Sequence, residues 1–273
     1  MFSTTIQTFI ETARVKAESS ERRPLAFLVS AAMAGAYVGI GIILIFSLGQ
    51  TADPSWRSLV MGTSFGIALT LVIFAGSELF TGHTMFMTLG VMSRSVAPTS
   101  LMRTWAMSWI GNFIGAAVLA IVFKLGGGGA VLKHGADLIY TVAAAKMHAP
   151  AIELVARGAL CNWLVCLAIW TSARTTSDAA KCILIFWCLF AFIASGFEHS
   201  VANMTVFSLA LLGHPPATVS VGGMAYNLLW VTIGNIIGGA VFVGLGYWLA
   251  NTEDIKVAAI EKLPATADTV LSS

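Results

Sequence analysis

Charge is scarce in this chain: of 273 residues only 10% are Asp, Glu, Lys or Arg, while 57% are hydrophobic. The mean hydropathy is +0.84. A soluble domain carries roughly a quarter charged residues to wet its surface, so an ordinary cytosolic enzyme, a disordered chain and a nucleic-acid-binding domain are excluded. The formal charge of +2 gives no polyanion-binding signal. Signatures of redox and metal chemistry are missing too. Cys161, Cys166, Cys182 and Cys188 lack CxxC spacing and read as reduced thiols acting as small hydrophobes. His83, His134, His148 and His214 form no ligand spacing, and HExxH is absent. The glycine run at 126–129 is not followed by the Lys-Ser/Thr of a phosphate loop and reads as a flexible exit. No cofactor, metal or nucleic acid is expected. The solvent left for such a composition is the bilayer.

Between the clustered cations lie six apolar runs long enough to span it, near Leu25–Gly49, Ser58–Met92, Thr104–Leu125, Ile152–Ser172, Cys182–Leu212 and Val219–Asn251. None of the seven prolines interrupts a run, as expected of a residue that removes a helix donor and suits helix starts. An even number of spans puts both termini on one side. That side holds Arg14, Lys16, Arg22, Arg23, Arg94, Arg103, Arg174, Lys181, Lys256 and Lys262, against five cations opposite. The cation bias predicts cytoplasmic termini. The organisation expected is an amino-terminal segment over 1–24 with an amphipathic interfacial helix at Thr4–Arg22, a six-span domain over 25–251, and a mobile Ala/Thr/Ser-rich tail over 252–273.

Two runs are too long. At about 1.5 Å per residue, Ser58–Met92 would make a helix of roughly 50 Å against a hydrocarbon core of roughly 30 Å. A polar cluster interrupts each: Gly76-Ser77-Glu78-Leu79-Phe80-Thr81-Gly82-His83-Thr84 in one, Ser195-Gly196-Phe197-Glu198-His199-Ser200-Val201-Ala202-Asn203 in the other. Each reads as a helix break, with Gly76, Gly82 and Gly196 supplying permissive angles and Ser, Thr and Asn capping the restarts. Irregular backbone at membrane depth is tolerated only around a shared interior or cavity. The breaks also repeat. Glycine-x-Glu recurs at an offset of 120 residues, and Ile110-Gly111-Asn112-Phe113-Ile114-Gly115 matches Ile233-Gly234-Asn235-Ile236-Ile237-Gly238. Two halves of three spans, near 25–125 and 152–251, must enter from opposite sides. The expectation is an all-α polytopic membrane protein with an inverted three-plus-three repeat and two broken helices meeting near the midplane.

Glu78-Leu79-Phe80-Thr81, Cys161-Asn162-Trp163, Glu198 through Met204 and Val231 through Gly239 together resemble the formate/nitrite transporters, over nearly the whole chain. That resemblance implies an aquaporin-like six-helix protomer, a homopentamer with one pore per protomer, and a bacterial inner-membrane location. It implies that His199 is the central pore histidine with Thr81 as its hydrogen-bonding partner, and that Asn162 and Asn235 face the pore. It also implies apolar constrictions at Leu69, Leu79 and Phe80 on the cytoplasmic side and at Phe65, Val165 and Phe192 on the periplasmic side. Lys146 matches a vestibule lysine, with a solvated loop lysine as the alternative. Asn112, which the resemblance gives no pore role, is expected to bond between helices.

The chemistry of these residue types fits an anion path. An imidazole changes charge near neutrality, and amide and hydroxyl donors can replace water around an oxyanion. Glu78 and Glu198 would repel an anion, so each is expected to point away and hold its loop by accepting hydrogen bonds. The function expected is passage of a small monovalent anion, nitrite first and formate second, passive or linked to a proton at His199. The rivals are a neutral-solute channel of the aquaporin type, disfavoured because NPA tripeptides are absent, and an intramembrane enzyme using His199 and Glu198, which lacks a nucleophile or metal set.

Overall fold

In the computed structural model, which describes residues 2–251, thirteen α-helices and one π-helical segment follow one another with no strand. The expected tail over 252–273 lies outside the described residues. Helix α1 (Ser3–Arg22) precedes α2 (Pro24–Thr51). The first broken run divides into α3 (Arg57–Ser64), α4 (Ile67–Phe74) and α5 (Phe80–Met92), and α6 (Pro98–Leu125) completes the first half. Short α7 (Gly129–Leu132) and α8 (Leu138–His148) lead to α9 (Ala151–Ser172). The second broken run is α10 (Asp178–Ala194) and α11 (Ser200–Leu212). The last run is α12 (Val221–Ile236), the π-helical turns Ile237–Leu245, and α13 (Gly246–Ala250). Five of these stretches are long and apolar enough to cross a membrane, and α10 with α11 makes the sixth.

Both breaks fall where the paired Gly-x-Glu motifs sit. Gly76 and Gly196 take φ of +75° and +70°, left-handed values that a side chain resists. Gly82 does not share this role. The helix has already restarted at Phe80, so Gly82 is helical. The first donors of α5 and α11 are met by asparagine side chains that reach in from distant helices, as described below.

The glycine-rich faces of α6 and α12 bring helices unusually close. A Cβ on Gly115 would overlap the Ala32 carbonyl of α2, and one on Gly234 would overlap the Val155 carbonyl of α9. This makes α2–α6 and α9–α12 the two tightest helix pairs, one in each half. The halves then exchange their short helices. Helix α11 packs on α6 and α2 of the first half, whereas α5 packs on α9 and the π-helical turns of the second. Such interlocking places the amino ends of α5 and α11 side by side in the interior.

Two helices outside the spans close opposite ends. Helix α1 is amphipathic, but its apolar face, Ile6, Phe9, Ile10 and Ala13, is buried against the protein itself, with the Phe9 ring 5.4 Å from that of Trp170. Helix α8 was not foreseen. It buries Leu138, Ile139, Ala143 and Met147 and is anchored at the far end of α2, where its first N–H donates to Gln50 Oε1.

Candidate functional site

His199 is the residue at which α11 begins. Its ring Nδ1 accepts from the Ala202 N–H at 3.1 Å, capping the helix, and its Nε2 lies 3.1 Å from Thr81 Oγ1, in the first turn of α5. A nitrogen that accepts an amide proton has no proton of its own, so the neutral ring carries its hydrogen on Nε2 and donates it to Thr81. The Thr81 hydroxyl hydrogen is thereby left free to point at a third group. The ring is also held flat against Phe192, with centroids 6.0 Å apart and planes 16° from parallel. A second proton on the ring would have to displace the Ala202 bond.

The wall around this pair is apolar. Phe65, Leu69, Leu79, Val165 and Phe192 join His199 around a chamber of only about 10 Å³, scarcely room for one water. The sequence assigned these side chains to two constrictions, and in the structure all five line this one chamber. Phe80 is not among them. It turns outward, edge-on to Trp105 with centroids 6.4 Å apart. On the α8 side of His199 a wider vestibule of about 160 Å³ opens, lined by Phe192, Gly196, Asn203 and Lys146.

The two asparagines expected to face the pore do something else. Asn235 Oδ1 accepts the Ser200 N–H at 2.9 Å, and its Nδ2 donates to the carbonyls of Gly158 (2.9 Å) and Glu198 (3.0 Å). Asn112 does the same for the first break: Oδ1 accepts the Phe80 N–H at 2.9 Å, and Nδ2 donates to Ala31 (2.7 Å) and Glu78 (2.9 Å). Each is a staple that caps a restarted helix and holds the loop before it. Asn162 is equally occupied, with Nδ2 within reach of Thr81 O, Thr84 Oγ1 and, at 2.6 Å, the Asn235 carbonyl just ahead of the π-helical turns. With these amide hydrogens bonded inside the protein, neither Asn162 nor Asn235 has one to offer an anion. The pore-facing expectation for both is corrected on that ground.

Neither deep carboxylate lines the chamber, and each is paired. Glu198 Oε1 receives Lys146 Nζ at 2.7 Å and Oε2 receives Asn203 Nδ2 at 2.6 Å, and Asn203 bonds in turn to Asn227. Glu78 Oε1 receives Lys16 Nζ at 2.6 Å, and His83 Nε2 lies 2.9 Å from Oε2. Lys146 therefore faces the vestibule while bound to a carboxylate, and is not a solvated loop lysine. Sequence reasoning missed Lys16, His83 and Asn227. A signal existed, because each lysine sits on a helix just ahead of the proline that opens a half, Pro24 or Pro150, but the two stand eight and four residues from it. A search at constant offset passes over them.

Among the described residues, no group of three or more His, Cys, Asp or Glu is placed to hold a metal, and the four cysteines are free. The family model for formate/nitrite transporters matches residues 3–249. The chain belongs to the formate/nitrite transporter family. It is 54% identical over 251 residues to the nitrite transporter NirC of Escherichia coli strain K12, covering 92% of this chain and 93% of that protein. Among solved structures, a channel described as an FNT family ion channel superposes with a TM-score of 0.89 at 54% identity, over 91% of this chain and 99% of the other. A pentameric formate channel with formate bound superposes with a TM-score of 0.72 at 25% identity, over 86% and 100%. The chain is thus a membrane transporter with the six-helix channel fold and not an enzyme.

Proposed function

We propose that the protein is a homopentamer in the bacterial inner membrane, with both termini cytoplasmic, and that each subunit passes small monovalent anions, nitrite first and formate second. The choice of nitrite and the ring of five lean on the relatives named above. Ten of the fifteen cations lie on the side assigned to the cytoplasm, which supports the orientation.

The observation that carries the reading is the Thr81–His199 pair, 3.1 Å apart at the converging amino ends of α5 and α11. Stripping an anion of water costs several kcal/mol. Helix amino ends concentrate partial positive charge, and the spare Thr81 hydroxyl hydrogen can replace one water hydrogen bond. The lumen thus offers an anion favourable dipoles without a fixed cation that would trap it. The paired Lys146 adds attraction at the vestibule while Glu198 limits it. Proton transfer through His199 is the costlier route, because an imidazolium would give up the Ala202 cap.

Nitrite flux into proteoliposomes tests this directly. Thr81→Val, which keeps the shape and loses the hydroxyl, abolishes most flux, and Thr81→Ser retains it; wild-type flux in the valine variant overturns the assignment. Swelling in glycerol serves as the control for a neutral-solute pore.

A further inference from the structure

The outward turn of Phe80 leads to a second cavity, separate from the ion path. Helices α6 and α12 barely touch, and between them lies a cleft of about 500 Å³ lined by Trp105, Trp109, Phe113, Leu228 and Ile233, with Phe80 among its walls. Its one bridge is the Trp109 Nε1–H, donated to Thr232 Oγ1 at 3.1 Å. Trp109 and Thr232 are separated by 123 residues, the offset that also relates Asn112 to Asn235. The cleft therefore straddles the pseudo-twofold axis between the halves. Each bridging residue stands eleven positions into its helix, about 16 Å below opposite membrane surfaces at about 1.5 Å per residue. The bridge is at mid-bilayer.

We propose that this cleft is a binding site for a hydrocarbon chain, and that a bilayer lipid supplies it. The size is that of a ligand pocket, and the polar groups in its wall are already engaged: Trp105 Nε1 donates to His83 O at 3.1 Å, and Trp109 and Thr232 bond to each other. The Thr232 hydroxyl hydrogen is the one donor left in the wall, too little to hold a polar ligand. Water does not fill apolar space of this kind, yet protein interiors are close-packed, so a seam of this volume at mid-bilayer is filled by the surrounding hydrocarbon. A second copy is the wrong occupant. The argument here rests on the pentamer proposed above: in a ring whose neighbours pair the first half of one subunit with the second half of the next, the pseudo-twofold axis lies along a radius. One end then faces the lipid outside the ring and the other the five-fold axis, and neither lies on the flank where neighbours pair. The chain supports the back of Phe80, whose sequence neighbours are chamber-lining Leu79 and pore-side Thr81, so occupancy braces the lateral wall of the pore.

The test uses the full-length protein in vesicles containing a phosphatidylcholine with a diazirine near the end of one acyl chain. After irradiation, peptide mass spectrometry should find a several-fold excess of label on the α6 and α12 cleft residues over Ile152 and Trp163, which are exposed on α9. Ala106→Trp and Ala225→Trp, which fill the cleft from either side, should each remove that excess while labelling of α9 and the oligomer by native mass spectrometry stay unchanged. Equal labelling of cleft and α9, or label that persists in both filled variants, overturns the proposal. So does efficient bis-maleimide joining of neighbouring subunits through Ala106→Cys with Cys182 and Cys188 replaced by serine. Nitrite flux is read separately: flux without cleft label refutes the lipid site alone, and cleft label without flux refutes the transport reading alone.

Discussion

Removing the Asn235 side chain should damage the protein's assembly before it damages selectivity. Asn235→Ala breaks three buried hydrogen bonds and strands two backbone groups, the Ser200 N–H and the Glu198 carbonyl, while the Gly158 carbonyl keeps its helical bond within α9. An orphaned buried polar group costs about 1–3 kcal/mol, whereas hydrogen bonds between membrane helices average only about 0.6 kcal/mol. The lower figure gives a loss of about 2 kcal/mol for three bonds, and the higher about 2–6 kcal/mol for two stranded groups. For a chain of this size even 2 kcal/mol lowers an apparent melting temperature by about 4–8 °C. Because Asn112 makes the same three bonds at the other break, Asn112→Ala should cost a similar amount. The assay is thermal challenge in detergent followed by size-exclusion detection of intact oligomer, with nitrite flux measured on whatever assembles. An Asn235→Ala oligomer that melts like the wild type but passes no nitrite would refute the reasoning and restore Asn235 as a pore donor.

Other perturbations probe different parts of the same construction. Lys146→Ala leaves the buried Glu198 carboxylate with Asn203 as its remaining partner, and losing one member of such a pair costs about 3–5 kcal/mol. Oligomer yield should fall and partly recover in Lys146→Ala/Glu198→Gln, with no recovery counting against the pair. Phe192→Ala unstacks the His199 ring and enlarges the chamber, so stopped-flow measurements should show larger carboxylates gaining flux relative to nitrite; unchanged selectivity would mean the chamber is not the constriction. Gly234→Leu drives a side chain into the Val155 carbonyl, and a normal size-exclusion profile for it would contradict the α9–α12 contact.

How much of this was legible in the sequence depends on the range of the interaction. The breaks were visible because glycine, glutamate and their repeat lie close together in the chain. Helix α8 was not, since its eleven residues are too short for a span and its buried positions are recognisable only once α2 offers a surface. The roles of Asn162 and Asn235 were misread for a physical reason: an amide in a membrane interior looks identical in sequence whether its hydrogens face a lumen or a carbonyl. The repeat contained the better clue, because Asn112 and Asn235 occupy equivalent positions and therefore face equivalent backbone.

Where the two halves differ is more informative than where they agree. Leu79 and His199 are related by the same 120-residue offset as the glutamates, each is the residue from which its short helix starts, and both line the chamber. One half thus contributes an apolar side chain and the other a hydrogen-bonding ring at the same point of the fold. Two leucines would leave Thr81 without its partner and the restarted α11 without its side-chain cap. Two histidines would put a second polar ring where Leu79 now stands in the apolar wall. The duplicated scaffold supplies two matched helix ends, stapled by matched asparagines, and the substitution at this one pair of positions makes their meeting point both narrow and able to donate a hydrogen bond.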